Sequence, residues 1–319
     1  MCKKTKIWLF AAAALILAGC LLFGGALAVL GWDIKGFSTV TYETNEYEIT
    51  EAYQSIFVSV DTGFVDFVPS ENGETRVVCL EQEKVKHIVE VWEGVLTVTA
   101  KDTRRWYEYI GIGFVPPQIT VYLPAGEYEA LSANVGAGTV NVPADFGFAD
   151  IEVTASTGNI SSRASVSGSL RMKASTGDIC VEGASVGSLT LSVSTGKISL
   201  SSVMCAGDAS ITVSTGQATV SSLRCENFSS TGDTGSITLS DLLASGEISI
   251  ERSTGDVIFE SCDAATLRVQ TSTGHVRGTL LTAKTFVVET STGEKEVPNT
   301  TGGRCEVTTT TGDIKLSIQ

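Results

Sequence analysis

Leu170-Arg171-Met172-Lys173-Ala174-Ser175-Thr176-Gly177-Asp178-Ile179-Cys180-Val181-Glu182 reads as two short alternating runs around a Thr-Gly pair. Leu170, Met172 and Ala174 alternate with Arg171, Lys173 and Ser175. Beyond the pair, Ile179 and Val181 alternate with Asp178, Cys180 and Glu182. Alternation with period two is the mark of a strand with one face buried. The glycine between the runs supplies a backbone conformation that other residues resist, so the pair reads as a turn. Residues 183–188 are small and polar and close the unit.

The unit recurs. Thr-Gly stands at Gly158, Gly177, Gly196, Gly216, Gly235, Gly255, Gly274, Gly293 and Gly312, at intervals of 19 or 20 residues. A unit this short cannot bury its apolar face alone, but stacked copies bury a continuous narrow core. No helix-length periodicity separates the strands, which argues against a βαβ sheet. The expected fold is all-β: a parallel β-solenoid of about 19 residues per turn, forming a rod of about 45–50 Å at the usual strand spacing. Leu191, Val193, Ile198, Leu200, Ile248, Ile250, Val257 and Phe259 are its expected inward residues.

Upstream, Ala137-Gly138 is a degenerate copy, and residues 56–68 around Thr62-Gly63 form another strand–turn–strand unit. Between them, segments 76–81, 85–92, 95–100 and 118–123 read as longer antiparallel strands, two of them joined by the hairpin turn Glu93-Gly94. Solenoid ends expose unpaired strand edges and need covering. The expected organisation is 1–32 as basic tail and membrane segment, 33–137 as an N-terminal antiparallel β cap, and 138–319 as repeats. The chain stops at Gln319 inside the strand 314–318, so the C-terminal solenoid end is expected to be open and available for self-association.

Residues 7–31 carry no charge, long enough for a transmembrane helix. Lys3, Lys4 and Lys6 precede them and Trp32 follows, which places the N-terminus inside and the repeats outside the cytoplasmic membrane. A cleaved export signal competes with this reading: Leu17-Ala18-Gly19-Cys20 resembles a lipoprotein lipobox, with Cys20 as the lipidated residue. The apolar run continuing past Cys20 favours the uncleaved anchor. Net charge is −14, and the exported part is acidic, which argues against nucleic-acid binding. Of eight cysteines, Cys205 and Cys225 both follow their repeat's glycine by nine residues and should stack in adjacent turns. A disulfide there competes with two buried thiols, and burial is the commoner fate.

The runs Ala174-Ser175-Thr176-Gly177-Asp178-Ile179 and Thr309-Thr310-Thr311-Gly312-Asp313-Ile314, with Thr41-Tyr42-Glu43-Thr44-Asn45 and Ile119-Thr120-Val121-Tyr122-Leu123-Pro124, resemble the bacterial "putative adhesin" family, a domain of unknown function. The resemblance covers nearly the whole chain. It implies a membrane-anchored extracytoplasmic β-solenoid and brings no catalytic residues. Some relatives are linked to cell-envelope stress-response operons, which implies an alternative role as a regulatory accessory protein.

Candidate chemistry is sparse. The residues after the glycines are Asn159, Asp178, Lys197, Gln217, Ser236, Asp256, His275, Glu294 and Asp313. Lys197 and Gln217 interrupt what a calcium-binding roll would require, so the position reads as a variable solvent-facing slot. The threonine column reads as a turn-stabilising hydroxyl ladder rather than an ice-binding face. No CxxC or paired-histidine spacing suggests zinc, no cofactor motif is present, and neither His87 nor His275 accompanies a nucleophile motif. A polysaccharide-active enzyme would need paired carboxylates in a groove, and nothing in the sequence singles out a pair. One loop differs: Arg104-Arg105-Trp106-Tyr107-Glu108-Tyr109 combines arginines and aromatics, the residues enriched at interface hot spots. Arg104, Arg105, Trp106, Tyr107 and Tyr109 are the candidate interaction surface. The opposing reading makes them the cap's own core. The expected function is a non-enzymatic adhesion or interaction scaffold at the cell surface, with an envelope protein or glycan as partner.

Overall fold

The computed structural model describes residues 3–29, 31–32, 40–106 and 115–319. A single helix, α1 (Lys3–Val29), is followed by strands only. The first six are β1 (Tyr42–Ile49), β2 (Ser55–Pro69), β3 (Thr75–Gln82), β4 (Val85–Trp92), β5 (Val95–Asp102) and β6 (Gln118–Leu123). The stack continues through β7 (Gly126–Val142), β8 (Phe146–Thr157), β9 (Ile160–Ser162), β10 (Ser165–Thr176), β11 (Ile179–Glu182), β12 (Ser185–Cys205) and β13 (Ala209–Cys225). Then come β14 (Phe228–Thr234), β15 (Ile237–Ser240), β16 (Leu243–Ala244), β17 (Glu247–Thr254), β18 (Val257–Cys262), β19 (Thr266–Thr273) and β20 (Val276–Leu280). The distal end holds β21 (Lys284–Thr292), β22 (Lys295–Glu296), β23 (Gly303–Thr311) and β24 (Ile314–Ile318).

These strands form a parallel β-solenoid of about ten turns. Equivalent residues stack in register: Leu191 pairs with Ile211, Ile198 with Ala218 and Thr195 with Thr215. Each turn has two strands meeting at the Thr-Gly pair, and all eight expected inward residues are at most 1 % exposed. The core is therefore a ladder of short apolar side chains between two parallel sheets, as a period-two pattern on both halves of the turn requires.

The glycine column has a steric cause beyond its dihedral angle. Gly196 has φ +144°, and a Cβ there would lie 2.0 Å from the carbonyl oxygen of Gly177 below it. The backbones pack glycine on carbonyl along the rod. Gly138 stacks on Gly63 in the same way, so the degenerate copy and the first unit belong to this column.

The hydroxyl ladder expected of the threonines is not what links the turns. Among the described residues, no hydrogen bond joins those hydroxyls. The linking groups are the side chains after the glycine. Asn159 Oδ1 accepts from the backbone N–H of Asp178 (3.0 Å), and Asp178 Oδ1 accepts from that of Lys197 (2.9 Å). Further along, Ser236 Oγ accepts from Asp256 N–H, and Asp256 Oδ1 from His275 N–H. His275 Nδ1 accepts from Asp313 N–H, and Asp313 Oδ1 from Glu294 N–H. The slot is exposed or half-buried, and it is not idle. A short side chain with an acceptor satisfies a backbone donor of the next turn, as in Asx motifs.

One inward column breaks the apolar rule. Ala155, Ala174, Val193, Val213, Gly232, Arg252, Thr271 and Thr309 occupy equivalent positions. Arg252 is 2 % exposed. It donates to Ser230 Oγ (2.7 Å) and lies within reach of Val213 O, while its Nε has no partner. Its neighbour Gly232 makes the room: a Cβ there would stand 1.8 Å from the guanidinium.

The N-terminal end contains the expected β4–β5 hairpin, and two antiparallel pairs that the sequence reading did not specify, β1 with β3 and β3 with β6. Their attachment was not legible from periodicity. β5 and β6 pair in parallel with the two halves of β2, so the cap extends both faces of the rod.

The distal end corrects the sequence expectation. The final strands β23 and β24 are inserted between β19/β20 and β21/β22. Ile314 and Leu316 are buried, and the outermost strand of the rod is β21. Lys284, 3 % exposed, lies at the start of this outermost strand. Its Nζ reaches Asp263 Oδ1 (2.6 Å), Ala264 O (2.6 Å) and Thr282 Oγ1 (2.8 Å). The side chain passes Gly303 of the inserted turn, where a Cβ would come within 3.4 Å of the ammonium and 2.5 Å of Ala265 O. Cys205 and Cys225 stack as expected, and both are free, buried thiols.

Candidate functional site

The arginine–aromatic segment follows β5 at the edge of the cap. Arg104 donates a forked pair of bonds to Asp102, Nε to Oδ1 (3.0 Å) and Nη2 to Oδ2 (2.6 Å), which fixes its guanidinium plane. Arg105 is exposed. Trp106 is 80 % exposed, so its indole is not part of the cap's core. Tyr107 and Tyr109 lie outside the described residues. Trp92, 70 % exposed, sits at the other end of the β4–β5 hairpin, beside the Glu93-Gly94 turn. The aromatics that are in the core are different ones: Tyr53, Tyr128, Phe146 and Phe148 pack ring against ring with centroids 5.5–6.5 Å apart.

On the opposite sheet of the cap, an open groove runs between β1, β3, β6 and the 69–75 loop. Arg76 bridges it, 4.0 Å over the Tyr122 ring and 2.7 Å from Glu46. Glu46, Glu48, Glu71 and Glu74 line it, and all four are exposed. A glycosidase acid needs a carboxyl kept protonated by a dry pocket. These carboxylates face solvent, and Glu46 and Glu74 already accept bonds from Arg76 and Asn72.

Inside the cap, Cys79, Glu81 and His87 bring their donor atoms within 4.8 Å of one another. All three are buried. Glu81 Oε2 accepts from the His87 backbone N–H (2.5 Å) and lies 2.6 Å from His87 Nδ1, while Oε1 accepts from Asn45 Nδ2 (2.5 Å). Burial, with Glu81 close by, pushes the Cys79 thiol up to about 12. Sequence reasoning missed this trio because its spacing matches no zinc motif. The available signal was a polar residue at two inward positions of a strand, with a histidine just past a tight turn. Cys20 lies on α1, exposed.

A capped parallel β-solenoid behind one apolar helix is the class these observations define. The chain belongs to the Toastrack DUF4097 family, whose model matches residues 53–221, 184–279 and 209–319. No curated protein matches it. Among solved structures, a putative lipid binding protein from Parabacteroides distasonis is 17 % identical with TM-score 0.49, over 76 % of this chain and 95 % of that one. A putative adhesin from the same organism is 12 % identical with TM-score 0.48, over 85 % and 98 % of the two chains. A putative adhesin from Parabacteroides merdae is 15 % identical with TM-score 0.48, over 76 % and 97 %.

α1 contains a 22-residue stretch, Trp8–Val29, with mean hydropathy 2.4, long and apolar enough to cross a membrane. Trp8, Phe10 and Leu22 on it are 75–77 % exposed. A helix of this length and composition serves as a membrane anchor or as a signal sequence.

Proposed function

We propose that this chain is a membrane-anchored, extracytoplasmic interaction scaffold without enzymatic activity, held by residues 7–31 with its N-terminus inside. The supporting observation is where its chemistry lies. The repeat faces present Ser, Thr and charged side chains turn after turn, and the carboxylates of the cap's open groove are exposed rather than sequestered. The lysines before the helix support the orientation. Trp106 and its arginine neighbours offer a partner an aromatic anchor with directional donors, the composition of binding hot spots. An envelope protein or glycan is the expected partner.

Two measurements test the reading. Protease applied to intact cells should remove the solenoid and leave a short anchor fragment; an inaccessible solenoid overturns the topology. Lipid labelling at Cys20 would establish the lipoprotein anchor instead. The purified full-length protein should retain an envelope partner, and Trp106→Ala/Tyr109→Ala should weaken that capture about tenfold or more. Equal capture by both forms places the site on the rod. Turnover of a cell-wall glycan by the pure protein overturns the non-enzymatic reading.

A further inference from the structure

We propose that Cys79, Glu81 and His87 form a structural binding site for one divalent transition-metal ion of the zinc class, which closes the N-terminal cap. The proposal concerns the cap's interior and is independent of which partner the surface binds.

The fold brings the three together for a local reason. Cys79 and Glu81 are two apart on β3, so both point between the sheets. The two-residue turn at Glu83-Lys84 then sends the chain across to the opposite sheet, where β4 pairs with β5. β3 and β4 pair only at Gln82 and Val85, so the strands part at once and His87 faces Glu81 across the gap. The donors thus come from both sheets. A metal ion there would tie β3 to β4 where no backbone ladder does.

The donor chemistry is coherent. Thiolate sulfur, imidazole nitrogen and a carboxylate oxygen are the usual zinc ligands, with bonds of about 2.3 Å to sulfur and about 2.0–2.2 Å to nitrogen or oxygen. Donors of such an ion stand roughly 3–4 Å apart. The trio already lies within 4.8 Å, and Glu81 and His87 need only part from their 2.6 Å contact by about 0.4–1.4 Å. On binding, Cys79 releases its thiol proton and His87 binds as the neutral imidazole. Thiolate and carboxylate together then carry −2 against the ion's +2, with no change of oxidation state. The neutral sum suits a site this dry, since an isolated buried charge is expensive.

Two further features fit. Glu81 is the one acidic residue, and His87 the one histidine, buried among the described residues. The core around them is mostly apolar, with Val77, Leu96, Val98, Ile119 and Val121 each wholly buried and Thr75 its buried hydroxyl. The carboxylate is also braced from outside the trio, by Asn45 on Oε1 and the His87 backbone N–H on Oε2. Such outer contacts orient metal-binding carboxylates.

The experiment uses the full chain in detergent micelles. After dialysis against zinc and removal of excess, metal analysis should find one equivalent. With cobalt(II) substituted, the protein should show a thiolate-to-cobalt charge-transfer band together with visible d–d bands. Cys79→Ser should lose the charge-transfer band, and His87→Gln should weaken cobalt binding about tenfold or more, with the strand circular dichroism intact. X-ray absorption on the unmutated zinc protein should find one sulfur and otherwise nitrogen or oxygen neighbours, so a variant that fails to fold does not block the test. No bound metal, two or more sulfur neighbours, or a charge-transfer band surviving in folded Cys79→Ser overturns the proposal. Absence of metal would leave the Glu81–His87 hydrogen bond as the trio's whole content.

Discussion

At the scale of the residue, space rather than turn geometry alone decides which glycines matter. Gly196 has both a positive φ and a carbonyl 2.0 Å from its would-be Cβ, whereas Gly183, at φ +64°, has nothing within 4 Å. Gly196→Ala is expected to cost about 3 kcal/mol or more, from backbone strain plus a clash that the stacked turns cannot relieve. Gly183→Ala should cost about 1–2 kcal/mol, the price of left-handed backbone. Urea unfolding of the two variants checks the difference. Arg252 makes an opposite prediction. Its guanidinium is desolvated in the core, which pulls its pKa down, and its Nε is unpartnered. Arg252→Met should leave stability unchanged or raise it by about 1–2 kcal/mol, because a well-packed apolar chain often replaces a buried charge without loss. A lower unfolding midpoint would show that the bond to Ser230 outweighs the burial.

Buried thiols set an alkaline limit. Burial pushes the Cys225 and Cys305 thiols up to about 12. The folded state therefore holds their protons where the unfolded chain, with ordinary thiols near about 8.5, gives them up. Their contribution is fully present below about pH 8.5 and falls as pH rises toward 12. Stability measured across that window should decline, less steeply in Cys225→Ala/Cys305→Ala. The same burial should keep both thiols from alkylation at neutral pH while exposed Cys180 reacts.

At the scale of the element, the last turn depends on one side chain. Lys284 fastens the start of β21 to the 263–264 segment across the inserted turn that begins β23. Lys284→Met keeps the length of the chain and removes three hydrogen bonds. It is expected to cost about 2 kcal/mol locally. Limited proteolysis should then cut within 281–302 before any other part of the rod. If the cleavage pattern does not change, β21 is held by its pairing with β23 and not by the latch.

At the scale of the whole molecule, the rod is a one-dimensional stack. Each turn is stabilised by the turn above and the turn below, so opening should begin where one neighbour is missing. Hydrogen exchange is expected to be slowest in β12 and β13, whose mutual ladder is long and unbroken from Thr195 to Ser201, and fastest in β21. β21 pairs with β23 alone among the described residues, and Val287 on it is 53 % exposed. Joining of rods through the distal end is therefore expected to use β21 rather than β24. Sedimentation at rising concentration checks it: Val287→Lys should suppress any association, because an edge charge opposes strand pairing, whereas Lys315→Ala should not.

The period of 19 or 20 residues and the alternation around each Thr-Gly determined the stack, its parallel sense and its inward residues. Those depend on local chemistry repeated, and a repeat has only neighbours of its own kind to pack against. The exposed position of Trp106 and the convergence of Cys79, Glu81 and His87 could not be read that way. They depend on where β5 and β6 join β2, and that choice lies among edges of similar chemistry. The same holds for the last two turns. β21 and β23 carry nearly interchangeable strand patterns, so alternation alone cannot order them. Only the tertiary structure shows the order: β23 pairs with both β19 and β21, the buried ammonium of Lys284 finds acceptors two levels below, and Gly303 packs against the Ala265 carbonyl, 2.5 Å from where a Cβ would stand.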